Sequence, residues 1–316
     1  MPKSNNSSCE AIAPSSSANI GPGFDVFGLA LDLFYDKVKL RKLDSHSSSI
    51  TTRFSNNIDI PTSTEQNSAS LAIRSMVHNY AITNDIEITI TKKVPHGYGL
   101  GSSASSAVAS VCAFNHLFNL GIDKQELVEF AAEGEIASSG TKHYDNVAAS
   151  LFGGFVIVRT RPILEVISIE PPLELVMIVG IPNVKVPSKK TALARSILPK
   201  RVSLKKVTHN IFNSSTVVSG FLLKDPKMIG KGINDEIVEP VRKQMISGYD
   251  IVKKNSLEAG ALATTISGAG PSIISFSDDP NIARNIAKSM KCSFLEAGIQ
   301  SAIHICNSSK GASIIR

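Results

Sequence analysis

Apolar and polar residues alternate most cleanly over 86–94 (IEITITKKV), the signature of a strand with one buried face. A weaker alternation over 35–43 predicts a second strand. Over 103–119 the apolar positions Ala104, Ala107, Val111, Phe114 and Phe118 recur at three- and four-residue steps, which predicts a helix burying one stripe. Asp123 is placed to cap a further helix that runs to about residue 138. Strands are expected at 155–159, 166–169 and 175–179. Residues 188–233 read as helical, broken by Pro199 and Pro226, and another helix ends near Gly260. Strands at 263–266 and 273–276 flank a glycine-rich turn, and a helix at 281–290 and a strand at 301–306 finish the chain. The Ser- and Asn-dense stretches 4–17 and 45–68 read as loops. The whole is an α+β pattern. Pro171-Pro172 interrupts two strands and suggests a boundary near residue 170, hence domains 1–170 and 171–316.

Composition narrows the class. The chain has 316 residues, 42% hydrophobic and 19% charged, and no Trp, so branched aliphatics must fill most of its core. A chain of this length buries most of its apolar surface without disulfides or a structural metal. The net charge of +6 suits an anionic ligand such as a nucleotide, and equally suits simple solubility. The basic residues are dispersed in short doublets such as Lys189-Lys190, with no aromatic-basic stripe, so no nucleic-acid partner is expected. Cys9, Cys112, Cys292 and Cys306 lie far apart, which reads as free thiols of a reducing compartment. The first residues lack an apolar signal core, and no run approaches the ~18 apolar residues of a membrane span. A cytoplasmic protein without a membrane partner is expected.

Candidate chemistry lies in three loops. The segment 95–106, PHGYGLGSSASS, carries Gly97, Gly99 and Gly101 between the clearest strand and the clearest helix. Glycines there permit positive φ and close approach of a ligand, and a helix N-terminus offers unpaired N–H groups to phosphate. No Gly-Lys-Ser/Thr follows, so it is not a Walker A loop. The residues alone leave phosphate binding and a serine-capped turn both open. The segment 14–25 sets Asn19 and Asp25 among glycines, which fits either a small polar substrate or an Asx turn. The third loop, 266–272 (ISGAGPS), joins two strands.

In order and wording these segments resemble the motifs of the GHMP kinases; PxxxGLGSSA stands intact from Pro95 to Ala104. The resemblance extends from about residue 11 to 306. It implies a two-domain α+β fold, an N-terminal ATP-binding domain like domain 2 of ribosomal protein S5 and a ferredoxin-like C-terminal domain. Segments 17–31, 138–155, 187–199 and 237–272 resemble the homoserine kinase branch. That likeness implies transfer of the γ-phosphoryl group of ATP to the side-chain hydroxyl of L-homoserine, in threonine biosynthesis. It implies phosphate contacts from Pro95, His96, Gly97, Tyr98, Gly99, Leu100, Gly101, Ser102, Ser103, Ala104, Ser105 and Ser106, closed over by Gly268 and Gly270, with Asn67 at the adenine. Mg2+ would sit on Ser103 and Glu135. Arg195 and Arg242 would take the substrate carboxylate, Asp25 and Asp145 its ammonium, with Asn19, His143 and Thr191 nearby. Asn146 stands where several GHMP kinases carry a catalytic aspartate, and an amide cannot act as a base. The resemblance therefore implies catalysis through charge stabilisation, with Arg195 contributing. Family members are often dimers, so a homodimer is expected by analogy. Two rival readings stay open: another GHMP kinase, acting on mevalonate or shikimate, or a ligand-binding sensor without catalysis.

Overall fold

The computed structural model describes residues 7–187 and 190–315. Ser188 and Lys189, within the segment 187–199 that carries part of the resemblance, lie outside the described residues, as do residues 1–6 and 316. The chain begins with β1 (Ser8–Ala18), β2 (Phe27–Lys42), β3 (Ile50–Phe54), α1 (Ser68–Asn79) and β4 (Ile86–Thr91). Then come α2 (Ser102–Leu117), α3 (Lys124–Ser139), α4 (Tyr144–Phe152), β5 (Phe155–Arg159) and β6 (Glu165–Ile169). The second half opens with β7 (Val176–Pro182), α5 (Lys190–Ser196), α6 (Leu204–Leu223), α7 (Pro226–Gly232) and α8 (Glu239–Arg242). It closes with α9 (Tyr249–Glu258), β8 (Ala263–Ile266), β9 (Ile273–Ser277), α10 (Pro280–Glu296), β10 (Ser301–Cys306) and β11 (Ser313–Ile314). Among the described residues no helix is long and apolar enough to cross a membrane.

Two sheets result. The first runs β11-β1-β2-β4-β3, with β5 also on β2 and β6 on β5; the second runs β10-β7-β9-β8. The long β2 organises the first sheet. One edge pairs with β1 along its length, while the other is shared, Phe27–Leu29 with β5 and Lys37–Lys42 with β4. The gap between β5 and β4 is where the chain leaves β4 for α2. Asp36, fully buried on β2, holds that departure: its carboxylate accepts the backbone N–H groups of Lys93 and Val94, both at 2.9 Å, and the Ser106 hydroxyl at 2.7 Å. The buried Lys92 ammonium donates to the same carboxylate and to the Ser102 carbonyl. A buried ion pair persists only when its remaining donors and acceptors are satisfied, as here.

Helices α1–α4 cover one face of the first sheet around Val38, Leu40, Ile88, Val108, Val111 and Phe114. A second core, with Leu29, Leu31 and Phe155 from the first sheet and Met177, Val179, Phe221 and Phe276 from the other half, joins the two sheets. A third lies between the second sheet and helices α9 and α10.

Two loop expectations are corrected. Residues 8–18 form β1 although they are rich in serine, because Ser15, Ser16 and Ser17 are fully buried and spend their polarity on the fold. Ser15 donates to the Leu31 carbonyl, and the Ser16 N–H to the Leu100 carbonyl at 3.1 Å. Residues 45–68 contain β3, which pairs parallel with β4 through the α1 crossover. Helices α1 and α4 were not expected from periodicity, and α10 extends past the expected 281–290 to Glu296.

Candidate active site

The three glycine-rich loops converge on one cavity of about 460 Å³. Its floor is the turn into α2. Gly97, Gly99 and Gly101 all have positive φ (85°, 79° and 65°). Two are also required by crowding: a Cβ on Gly99 would lie 2.2 Å from the Ser267 carbonyl, and one on Gly101 would lie 2.1 Å from Ser16 Oγ. Gly101 is the N-cap of α2 and brings no side-chain cap, so the first N–H groups of a 16-residue helix face the cavity beside Leu100, Gly101, Ser102 and Ser103. Such an uncapped helix N-terminus is electrostatically suited to an anion.

The serines divide sharply. Ser103 lines the cavity and hydrogen-bonds the Glu135 carboxyl. Ser102 lines it too, but its hydroxyl is committed to the Val94 carbonyl at 2.9 Å. Ser105 and Ser106 do not line it: Ser105 donates to the Ala13 carbonyl, and Ser106 belongs to the Asp36–Lys92 network and lines the neighbouring cavity instead. Ala104 is core, and Tyr98 spans to the Val184 carbonyl at 3.0 Å. Pro95 and Gly270 are likewise behind the lining, while His96, Gly97 and Gly268 are in it.

Asn67 stands outside this cavity. Its side chain caps α1, accepting from the N–H groups of Ala69 and Ser70 at 3.1 and 3.3 Å and donating to the Pro61 carbonyl. It borders a neighbouring cavity of about 460 Å³ with Phe54, Ile60 and Ile90, which shares Asp59, His96, Ser103 and Ser138 with the first.

Above the floor, α3 presents Glu135 and the first turn of α4 presents Asp145, both buried. Burial, and then the charge of Asp145, pushes the Glu135 carboxyl up to about 7 against the Ser103 hydrogen bond. Burial, and then Asp25, pushes Asp145 up to about 7 against the Asn146 N–H, Arg195 and Arg242. His143 Nδ1 is 4.0 Å from Glu135, and burial together with Arg195 holds its imidazole down near 4, hence neutral at pH 7. Asn146 is pinned on both sides: Oδ1 accepts the Ser16 hydroxyl at 3.0 Å, and its backbone N–H donates to Asp145 Oδ1 at 2.7 Å.

The opposite wall comes from the loop after β1 and from α5 and α8. Asn19 and Asp25 both adopt positive φ, and Asn19 Nδ2 donates to the Gly268 carbonyl at 2.9 Å. The same carbonyl accepts Arg242 Nη1 at 3.1 Å. Both guanidinium groups lie over the Phe24 ring, Arg195 at 5.4 Å and Arg242 at 5.1 Å from its centre. Arg195 and Asp25, expected to hold opposite ends of a substrate, grip each other through two bonds of 2.9 and 2.8 Å. Thr191 lines the cavity one residue after Lys190. Asp59, Ser138 and Val186 line the cavity without having been expected, and so does Lys190, missed because half of a lysine doublet looks like a solvated face. It is buried, its ammonium donates to the Gly270 carbonyl, and burial followed by Arg242 pushes it down to about 7.

Comparison with known proteins agrees with this architecture. The family described as GHMP kinases N terminal domain matches residues 67–154, and GHMP kinases C terminal matches residues 217–297. A homoserine kinase of Thermoplasma volcanium is 37% identical over 91% of this chain and 90% of its own. Another, from Sulfurisphaera tokodaii, is 40% identical over 84% of this chain and 85% of its own. A crystal structure of homoserine kinase from Cytophaga hutchinsonii superposes with a TM-score of 0.92 at 39% identity, covering 100% of this chain and 99% of that one. With likeness along its whole length and in both sheets, the chain belongs to the GHMP kinase family, with homoserine kinases among its relatives.

Proposed function

We propose that this protein is an ATP-dependent homoserine kinase, which converts ATP and L-homoserine to ADP and O-phospho-L-homoserine in the cytoplasm. The observation that carries this reading is the polarity of the one cavity: an open helix N-terminus behind three glycines on one side, and two arginines, two aspartates and a neutral histidine on the other. The first suits a triphosphate, the second a zwitterion with one hydroxyl. The boundary between the two domains lies near residue 170, between β6 and β7, with β11 returning to the first sheet.

Phosphoryl transfer asks a protein mainly for alignment and charge neutralisation. The α2 N–H groups and the Gly97–Gly101 backbone hold the phosphates, Gly268 closes over them, and the adenine occupies the neighbouring apolar cavity beside Asn67. Arg242 and Arg195 take the homoserine carboxylate, and Asp25 and Asp145 take its ammonium. The Arg195–Asp25 pair thereby exchanges one internal contact for two with the substrate, so ligand-free closure costs neither side an unpaired charge. The buried Glu135 carboxyl beside the Ser103 hydroxyl is a two-oxygen donor set at the phosphate end, which fits magnesium, an ion that takes one or two protein oxygens and fills its sphere with phosphate and water. When bound there it neutralises phosphate charge. The substrate oxygen attacks the γ-phosphorus, the bond to the β-phosphate oxygen breaks with its electron pair leaving on ADP, and the hydroxyl proton passes to the transferred phosphate. Asn146 supplies no base. It orients Asp145 and the first turn of α4.

The test is ADP release with magnesium across L-homoserine, mevalonate, shikimate, L-serine and L-threonine. Turnover with homoserine alone supports the assignment. Turnover with mevalonate or shikimate instead overturns the acceptor, and nucleotide binding without any turnover overturns the enzyme in favour of a sensor. Light scattering of the same preparation reads the expected homodimer.

A further inference from the structure

We propose that Lys190 contacts the γ-phosphoryl group being transferred, as a third cation of the site. The inference rests on the kinase reading above. It starts from an imbalance of charge. Lys190 is 9% exposed and lies in the first turn of α5, and its ammonium donates to the neutral Gly270 carbonyl. Among the described residues no carboxylate pairs with it, whereas every other buried lysine or arginine of the cavity region has an acidic neighbour: Lys92 has Asp36, and Arg242 feels Asp25 and Asp145. An ammonium taken out of water without a counterion is costly unless an anion arrives.

The cavity says which anion. Lys190 lines it together with Gly97 and Gly99 of the phosphate loop and Gly268 and Ala269 of the closing loop. Val186, which precedes α5, packs against the phosphate loop, where a Cβ on Gly97 would lie 2.9 Å from it, and the Gly270 carbonyl that Lys190 holds lies against the same loop, 2.8 Å from a Cβ on Gly99. Five residues further along α5, Arg195 stands on the substrate wall. Lys190 therefore stands at the start of a helix whose last turn carries Arg195, with its ammonium on the Gly270 carbonyl beside the phosphate loop. An ammonium has three donors; Gly270 takes one, leaving two for phosphate oxygens. Its proton affinity, depressed in the ligand-free protein, rises once an anion sits beside it.

The experiment compares wild type, Lys190→Met, Lys190→Gln and Lys190→Arg by calorimetric binding of ADP and of the β,γ-imido analogue of ATP, and by steady-state kinetics. The expected result is ADP affinity within about threefold of wild type, imido-ATP affinity lower by about 10- to 100-fold, and kcat lower by about 100-fold, with the homoserine KM little changed. Arginine restores part of the kcat. Equal weakening of ADP and imido-ATP, or no weakening of either, overturns the proposal and leaves the ammonium as a tie between α5 and the closing loop. A raised homoserine KM with kcat intact overturns it in favour of a carboxylate contact. If methionine does not fold, the glutamine and arginine variants carry the same comparison. The binding arm needs no acceptor, so a wild type that ignores homoserine sinks the assigned substrate while the two nucleotides still judge Lys190. A wild type that binds neither nucleotide sinks both.

Discussion

Replacing Asp145 with asparagine should make the ligand-free protein more stable at neutral pH while disabling it. Asp145 is 3% exposed, and its carboxyl is pushed from 3.8 up to about 7, first by burial and then by Asp25. A folded-state value above the unfolded one means that the folded protein holds this proton more tightly. The associated stability is complete below pH ~4 and is lost as pH rises through about 7. Each unit corresponds to about 1.4 kcal/mol, so between pH 5 and 8 wild type loses about 3 kcal/mol through this group alone. Asparagine keeps the Oδ1 acceptor for the Asn146 N–H, 2.7 Å away, and carries no charge. The variant should therefore gain on wild type by roughly 4–6 °C in Tm across that interval, at ~1.5–2 °C per kcal/mol for a chain of 316 residues. Glu135, pushed up partly by Asp145, ionises more easily in the variant, which adds in the same direction. Scanning calorimetry of both ligand-free proteins at pH 5, 6, 7 and 8 reads the difference, and ADP release with homoserine should fall about 100-fold. A Tm difference that stays constant, or narrows as pH rises, would refute the argument that an uncompensated buried carboxylate is held here for substrate.

Gly101→Ala places a Cβ 2.1 Å from Ser16 Oγ at φ +65°, so ATP affinity measured by calorimetry should be lost and thermal stability reduced by about 1–3 kcal/mol. Arg195→Ala removes a two-bond carboxylate partner and leaves Asp25 without its own, so the homoserine KM should rise about 100-fold with the ATP KM unmoved in steady-state kinetics. Asn146→Asp brings a second carboxylate against Asp145 and supplies a base where we assign none; kcat should stay level or fall, and a rise above about tenfold would mean that proton removal limits the reaction.

Much of the frame was legible along the chain. The run IEITIT is β4 because alternation needs only a strand with one buried face, and Asp123 caps α3 because capping is settled within three residues. The triple-glycine turn was equally plain, since positive φ at alternating positions is a local demand. The serine-rich start of the chain misled because strand polarity was judged without knowing that Ser15, Ser16 and Ser17 would find partners at Leu31, Leu100, Asn146 and Ser267. Asn67 shows a different limit: a cap and a ligand contact look alike in one dimension, and here the same side chain caps α1 and borders the neighbouring cavity.

The sequence by itself thus determined the local elements and the order of the three loops, because helix period, strand alternation, capping and glycine conformations depend on neighbours a few residues away. Only the tertiary structure decided which groups face the ligand. Ser103 reaches the cavity, Ser105 does not and Ser106 lines only the neighbouring one, because Asp36 and Lys92, 56 positions apart, fix the rotation of α2. Arg195 meets Asp25 across 170 positions, and Lys190 is buried beside Gly270 across 80. A charge's partner and solvation are properties of the packed surface around it, and that surface is assembled from segments whose separation along the chain leaves no local trace.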